Sequence, residues 1–122
     1  MQEFDRENKM KEIKAYIKPH MLSKVTLALH KIEGLTGMSV VDVRGFGRSR
    51  GKGYPSRIVE DLIDYVPHVK IEVCCKDDLV KEIVEAIQDN AHPGLRGDGK
   101  IYVAGIETAV RIETGERGES AV

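Results

Sequence analysis

Residues 68–75, HVKIEVCC, decide the fold class of this chain. Apolar and polar residues alternate here with the period of two that a half-buried β-strand requires. Directly after the strand, apolar residues recur at the three- and four-residue steps of one helix face, namely Leu79, Val80, Ile83, Val84 and Ile87. Asp77 or Asp78 can cap this helix, which we expect to end near Asn90. The stretch therefore predicts a strand followed by a helix that packs back on it.

The same pair of patterns occurs in the first half of the chain. Residues 11–19, KEIKAYIKP, alternate as a strand that ends at its proline. Helical spacing follows at Leu22, Val25, Leu29 and Ile32. Gly34 then ends the predicted helix. Residues 37–43, GMSVVDV, favour another strand, because β-branched side chains suit a pleated surface.

Two more short strands are predicted after the second helix, at residues 100–106, KIYVAGI, and 109–113, AVRIE. The order is then βαββαβ with one extra short strand. This order predicts an α+β domain of ferredoxin-like architecture, in which a four-stranded antiparallel sheet carries both helices on one face. The other face has no cover within one chain, so we expect copies of the chain to associate through it.

Composition excludes several classes of protein. The chain has 122 residues, 41% of them hydrophobic, and a net charge of −1. This length suits one domain, and the absence of a basic surplus argues against a nucleic-acid binder. No segment approaches the roughly 20 apolar residues of a membrane span, so we expect no membrane insertion. The charged residues 1–9 lack a signal sequence and predict a flexible N-terminal extension on a cytoplasmic protein.

The reactive side chains form no catalytic or metal motif. Cys74 and Cys75 are adjacent, so in a strand they point to opposite faces and make a poor disulfide pair. We interpret them as reduced thiols in or near the core. The four histidines show no metal-ligand spacing, and no serine lies in a recognisable nucleophile motif. The sequence therefore indicates neither a metal site nor an enzyme.

Residues 45–64 form an unusually long connection, since most connections in compact domains have about four to six residues. Its cations come first, at Arg48, Arg50, Lys52 and Arg57, and its anions later, at Glu60, Asp61 and Asp64. The loop is either a solvated hairpin extension or a mobile arm that docks on a partner.

Two glycine-rich turns suit a phosphate, GFGR at 45–48 and GLRGDGK at 94–100. Glycine lets backbone N–H groups approach an anion without obstruction by a Cβ atom. Lys100 and Arg111 could add fixed positive charge, although each alone could also be an ordinary surface cation. The chain has no P-loop motif.

Five motifs in order carry a family resemblance: KEIKAYIKP, LTGMSVVDVRGFGR, VPHVKIEV, GDGKIYV and VRIETGE. Together they resemble the PII family of signal-transduction proteins over residues 10–117, which leaves residues 118–122 as a C-terminal tail. The resemblance implies a cytoplasmic homotrimer that acts in nitrogen regulation and binds ATP, ADP or AMP between subunits. It also implies that residues 45–64 are the T-loop, which docks on a membrane transporter or a regulated enzyme.

The resemblance carries over residue by residue. It implies nucleotide contacts at Gly37, Ser39, Gly45, Phe46, Gly47, Arg48, Gly97, Asp98, Gly99, Lys100 and Arg111. Gly37 and Ser39 would lie at the adenine, whereas the two glycine turns and Arg111 would lie near the phosphates, with Arg111 in a cleft shared between chains. It implies partner docking through Arg50, Lys52, Tyr54 and Arg57.

The chain departs from the family pattern at four positions. Ser49 and His68 replace a glutamine and a lysine that serve 2-oxoglutarate, so we expect this effector to change nucleotide affinity little, and the role of Mg²⁺ stays open. Glu113 replaces a second arginine, which predicts that ADP or AMP binds at least comparably to ATP. Asp61 aligns with the tyrosine that many bacterial members modify, so we expect no modification there.

Three alternatives remain. One is a trimeric ferredoxin-like metal-tolerance protein, which would need clustered histidines. Another is a regulator of a bicarbonate or metal transporter with an altered effector. A nucleotide hydrolase would need a positioned general base.

Overall fold

Four strands and two helices alternate along the chain in the computed structural model, which describes residues 9–45, 66–94 and 97–122. The elements are β1 (Met10–Ile17), α1 (Leu22–His30), β2 (Ser39–Gly45), β3 (Val66–Lys76), α2 (Val80–Ala91) and β4 (Gly99–Gly105). One 3-10 turn precedes each helix, at Pro19–Met21 and Asp77–Leu79, and a third lies at Gly118–Ala121. The predicted βαββαβ order is confirmed.

The strands form one sheet in the order β2-β3-β1-β4, with every neighbouring pair antiparallel. In the centre of the sheet, Ala15 on β1 lies opposite Ile71 on β3 and Ile101 on β4. This is the sheet of the α+β, ferredoxin-like class predicted from the sequence. β1 and β3 are its inner strands, and β2 and β4 are its edges.

One face of the sheet and both helices enclose the core. The most deeply buried side chains are Ile13, Ile17, Val25, Leu29, Ile71, Val73, Ile83 and Ile87. They come from alternate positions of the two inner strands and from one face of each helix, as the two apolar periods predict. α1 and α2 also pack on each other, so the core is closed on the helix side.

The opposite face, which we call the open face, carries the other set of alternate residues. Lys14 lies opposite Glu72 and Tyr102, and Tyr16 lies opposite Lys70 and Lys100. The amino group of Lys70 lies 3.2 Å from a carboxylate oxygen of Glu72, and the rings of Tyr16 and Tyr102 meet edge to face with centroids 6.2 Å apart. Among the described residues, no helix covers this face.

The two cysteines lie on opposite faces, as predicted. Cys75 is buried on the helix side, whereas Cys74 is exposed on the open face, and both are free.

Two local predictions are wrong. Residues 109–113 form no extra strand, because the chain already reverses at Gly115 (φ +81°) and leaves a single bridge between Val110 and Arg117. Neither Asp77 nor Asp78 caps α2, because both lie in a 3-10 turn ahead of it and no side chain bonds to its first N–H groups. Asp77 instead accepts a hydrogen bond from Lys11. Among the described residues, no helix is long and apolar enough to cross a membrane.

Candidate functional site

Gly45 and Gly99, one from each glycine-rich turn predicted to meet phosphate, lie at the same end of the sheet. β2 ends at Gly45, which lies opposite Val66 at the start of β3, and β1 ends at Ile17, which lies opposite Gly99 at the start of β4. β2 and β4 are nevertheless the two edges of the sheet. Three strand spacings, about 14 Å, therefore separate Gly45 and Gly99 across the sheet of one chain.

The backbone at Gly99 favours glycine, because β4 begins there against the backbone of β1. Its φ is +116°, and a Cβ atom would lie 1.7 Å from the carbonyl oxygen of Tyr16. A side chain would therefore overlap a backbone atom, and the left-handed conformation would also be strained. The last glycine of the GDGK motif thus has a structural reason in this chain, in addition to any role at a ligand.

Asp98 holds the turn to the rest of the subunit. One of its carboxylate oxygens accepts a hydrogen bond from His92 Nδ1 at 2.8 Å and one from the Gly94 N–H at 3.4 Å, and the other lies 3.4 Å from Lys18 Nζ. Burial by itself would raise the pKa of Asp98, but these hydrogen bonds and the Lys18 charge lower it overall. Asp98 therefore joins the end of α2, the end of β1 and the start of β4.

Among the described residues of this turn, Lys100 is a cation that could meet an anion. It lies on β4 opposite Tyr16, on the open face, and it is exposed. Within the described residues, no carboxylate lies within ion-pair distance of its amino group. An unpaired lysine beside a glycine turn is a suitable point charge for a phosphate.

Arg111 lies apart from that turn, on the hairpin that follows β4. Its Nε lies 3.1 Å from a carboxylate oxygen of Glu116, and its Nη2 donates to the Ser120 carbonyl at 3.3 Å. No described contact joins Arg111 to residues 97–100 of the same chain. No described contact within one chain therefore joins the two predicted phosphate cations.

Of the two residues predicted at the adenine, Ser39 lies on the open face of β2, and Gly37 precedes that strand. Ser39, the first residue of β2, lies opposite Glu72. Ser39 and Gly45 are an even number of positions apart, so they lie on the same face of the strand, about 20 Å from each other. A Cβ atom at Gly37 or Gly45 would meet no described atom within 4 Å. Packing among the described residues therefore requires neither glycine.

Several predicted positions lie outside the described residues. These are Phe46, Gly47 and Arg48 of the phosphate turn and Arg50, Lys52, Tyr54 and Arg57 of the docking loop. Of the four departures from the family pattern, His68 and Glu113 are described. His68 Nδ1 lies 3.3 Å from the Val66 carbonyl, so in the tautomer with a proton on Nδ1 it donates to its own strand, and Glu113 is exposed on the hairpin.

Sequence reasoning missed three residues around the site: Lys18 and His92, which bind Asp98, and Glu116, which binds Arg111. Only the last pair carries a local signal, since Arg111 and Glu116 are opposite charges five residues apart on either side of Gly115. The described residues contain no group of three histidine, cysteine or acidic side chains that could hold a metal ion.

Comparisons with known proteins agree on one family. The family model described as "Nitrogen regulatory protein P-II" matches residues 10–116. The chain is 50% identical over 113 residues to the nitrogen regulatory protein P-II of Rhodospirillum rubrum and 48% identical to that of Azospirillum brasilense, in each case over 93% of this chain and 100% of the relative. A crystal structure of Arabidopsis thaliana PII bound to citrate superimposes with a TM-score of 0.75 at 35% identity, covering 94% of both chains.

Proposed function

This chain belongs to the nitrogen regulatory protein P-II family of signal-transduction proteins, and from that premise we propose that it binds an adenine nucleotide at sites shared between subunits of a homotrimer. ATP, ADP and AMP are the candidate effectors. The nucleotide is a signal in this proposal, and no catalytic residue is assigned.

The described contacts of Lys100 and Arg111 carry the proposal, because none of them joins the two cations within one chain. Lys100 is exposed and unpaired among the described residues at one end of β4, whereas Arg111 follows the other end and is held by Glu116 and Ser120. A polyphosphate needs several cations close together. A second copy of the chain can supply Arg111 where the first supplies Lys100.

The open face of the sheet supports association of identical chains. It carries Tyr16 and Tyr102 among charged residues, and Val41 on the edge strand β2 is 43% exposed. Burying such a mixed face needs a partner with matching charges, and a symmetric copy supplies the same lysines and glutamates. We place the subunit contacts of the trimer on this face.

The proposed output is control of a partner protein in the cytoplasm. Residues 45–64 connect two adjacent antiparallel strands at the same sheet end as the glycine turns. A nucleotide at that end can therefore bias the conformation of the loop, and the loop can dock on a membrane transporter or an enzyme. With Ser49 and His68 in place, 2-oxoglutarate has little influence on this coupling.

Titration calorimetry tests the nucleotide site. We expect the native protein to bind ADP at least comparably to ATP, and Lys100→Ala to weaken both by about tenfold or more, because a charge-assisted hydrogen bond is lost. Lys81→Ala is the matched control, since Lys81 is an exposed lysine on α2, and it should bind as the native protein does. Failure of the native protein to bind any adenine nucleotide, or a monomeric mass by light scattering, would overturn the proposal.

A further inference from the structure

The hairpin after β4 is built around Arg111. Its backbone closes through the Arg111 N–H, which donates to the Glu116 carbonyl at 2.9 Å, and the Gly115 N–H, which donates to the Arg111 carbonyl at 2.7 Å. The Gly118 N–H donates to the Ala109 carbonyl at 3.0 Å below the turn. These three bonds fix the backbone on both sides of the arginine.

The side chain of Glu116 is also held in place, by hydrogen bonding with Thr114. Its Oε1 accepts a hydrogen bond from the Thr114 hydroxyl at 3.1 Å, and the same hydroxyl oxygen accepts from the Glu116 N–H at 3.1 Å. The Oε1 atom also lies 3.1 Å from Arg111 Nε. The Glu116 carboxylate is therefore held in place by its own turn, and it forms an ion pair with the Arg111 guanidinium at Nε.

Part of the Arg111 guanidinium has no described partner. An arginine has five N–H donors. Nη2 donates one of them to the Ser120 carbonyl, and Nε forms an ion pair with Glu116 at 3.1 Å. The two N–H groups of Nη1 have no partner among the described residues. The arginine is thus held at two points while the N–H groups of Nη1 stay available to an acceptor.

We propose that Glu116 is a positioning residue for Arg111, which it orients toward the phosphate of a nucleotide bound by a neighbouring subunit; this rests on the function proposed above. Exposed ion pairs stabilise folds little, and about half of each side chain is exposed, 46% for Arg111 and 47% for Glu116. The contact matters instead because a flexible arginine loses less freedom on binding when it is already oriented.

The opposite role for Glu116 is competition with the phosphate for Arg111. The two roles predict opposite effects of removing the carboxylate, so an experiment can separate them. If the Glu116 carboxylate competed with phosphate for Arg111, its removal would release the arginine and strengthen nucleotide binding. If Glu116 orients Arg111, its removal weakens binding only while the arginine is present.

A double-mutant cycle on the nucleotide affinity of the full-length protein separates these roles. We expect Glu116→Ala to weaken ADP binding about two- to tenfold, the cost of ordering one long side chain. In the Arg111→Ala background the same change should have no effect. Glu116→Gln keeps the acceptor oxygen and should restore most of the affinity. Glu119→Ala, which removes a neighbouring carboxylate with no described side-chain contact, should bind ADP as the native protein does.

An NMR readout that needs no nucleotide accompanies the cycle. The heteronuclear NOE of the Arg111 Nε–H group should report an ordered side chain in the native protein, with the order lowered in Glu116→Ala and kept in Glu119→Ala at unchanged melting temperature. Tighter ADP binding by Glu116→Ala, equal weakening in the Arg111→Ala background, or a mobile Arg111 side chain in the native protein would overturn the positioning role. Absence of ADP binding in the native protein, with the Arg111 side chain ordered, would instead overturn the proposed function and with it the purpose assigned to Glu116.

Discussion

Neighbouring residues of β3 lie in two different environments. Ile71 and Val73 are buried between the sheet and the helices, at 0% and 1% exposure, whereas Lys70 and Glu72 lie on the open face and bind each other at 3.2 Å. The helix face is closed by the chain itself. The open face keeps charges and two tyrosines that interact at its surface. One strand therefore contributes both to the stability of the subunit and to a surface for contacts beyond it.

The largest expected effect comes from a substitution on the face of the sheet that the helices cover. Ile71→Ala removes buried methyl groups from the centre of the sheet, and we expect a loss of about 2–5 kcal/mol in the free energy of unfolding. Glu72→Gln, one position along on the open face, should cost less than about 1 kcal/mol, because partly exposed ion pairs contribute little. Urea unfolding at one protein concentration measures both. Equal losses would mean that the two faces contribute alike.

This difference between faces could be predicted from the sequence. Alternation in HVKIEVCC and in KEIKAYIKP assigns each residue of the inner strands to a face, and helical spacing assigns the residues that cover one of them. A local period is sufficient for this assignment because each strand residue has only two possible faces. The same rule separated Cys74 from Cys75.

The next effect concerns the end of the sheet, where Gly99 begins β4. Gly99→Ala adds a Cβ atom that would overlap the carbonyl oxygen of Tyr16, at a φ of +116°. β4 is an edge strand, so its first residues can shift away, and we expect a loss of about 1–3 kcal/mol from backbone strain. Gly37→Ala is the control, since its Cβ atom would meet nothing within 4 Å. Equal melting temperatures of the two variants would contradict the close contact.

The contacts of the site could not be predicted in the same way. His92 and Lys18 meet at Asp98 because two turns and a strand end converge there in space. No period in the sequence encodes that convergence. The wrong strand at residues 109–113 has a related cause: its β-branched residues favour a strand, but the hydrogen bonds of the Arg111 hairpin close the turn first.

The next prediction makes the same substitution, cysteine to serine, on each face of the sheet. Burial is the main cause that raises the pKa of both the Cys74 and the Cys75 thiol, so both stay protonated at neutral pH. Cys75→Ser places a hydroxyl in the closed core, and we expect a loss of about 1–3 kcal/mol. Cys74→Ser should stay within about 0.5 kcal/mol of the native protein. Urea unfolding of both variants in reducing buffer measures the two losses in the free energy of unfolding. Equal losses would mean that the open face is packed as tightly as the core.

The smallest effect concerns Asp98, which lies at the sheet end between the two faces. Its pKa is lower in the folded protein than its ordinary value, because hydrogen bonds and the Lys18 charge outweigh burial. A carboxyl with a depressed pKa stabilises the fold above its unfolded pKa and loses that contribution as the pH falls through its folded pKa. Asp98→Asn should therefore be slightly less stable than the native protein at neutral pH.

The pH dependence of stability distinguishes a role of the Asp98 charge from a role of its side-chain packing alone. The contribution of the Asp98 charge falls progressively below about pH 4, the ordinary pKa of an aspartate, and is lost once the pH is below the lowered pKa of the native carboxyl, so the stability of the native protein should approach that of Asp98→Asn. Urea unfolding of both proteins at pH 7 and below pH 4 measures the two gaps. Asp78→Asn is the control, because Asp78 is an exposed carboxyl with no described side-chain contact, and it should follow the native protein at both pH values. A gap between native and Asp98→Asn that stays constant would mean that the shape of the side chain, and not its charge, holds the turn to β1 and α2.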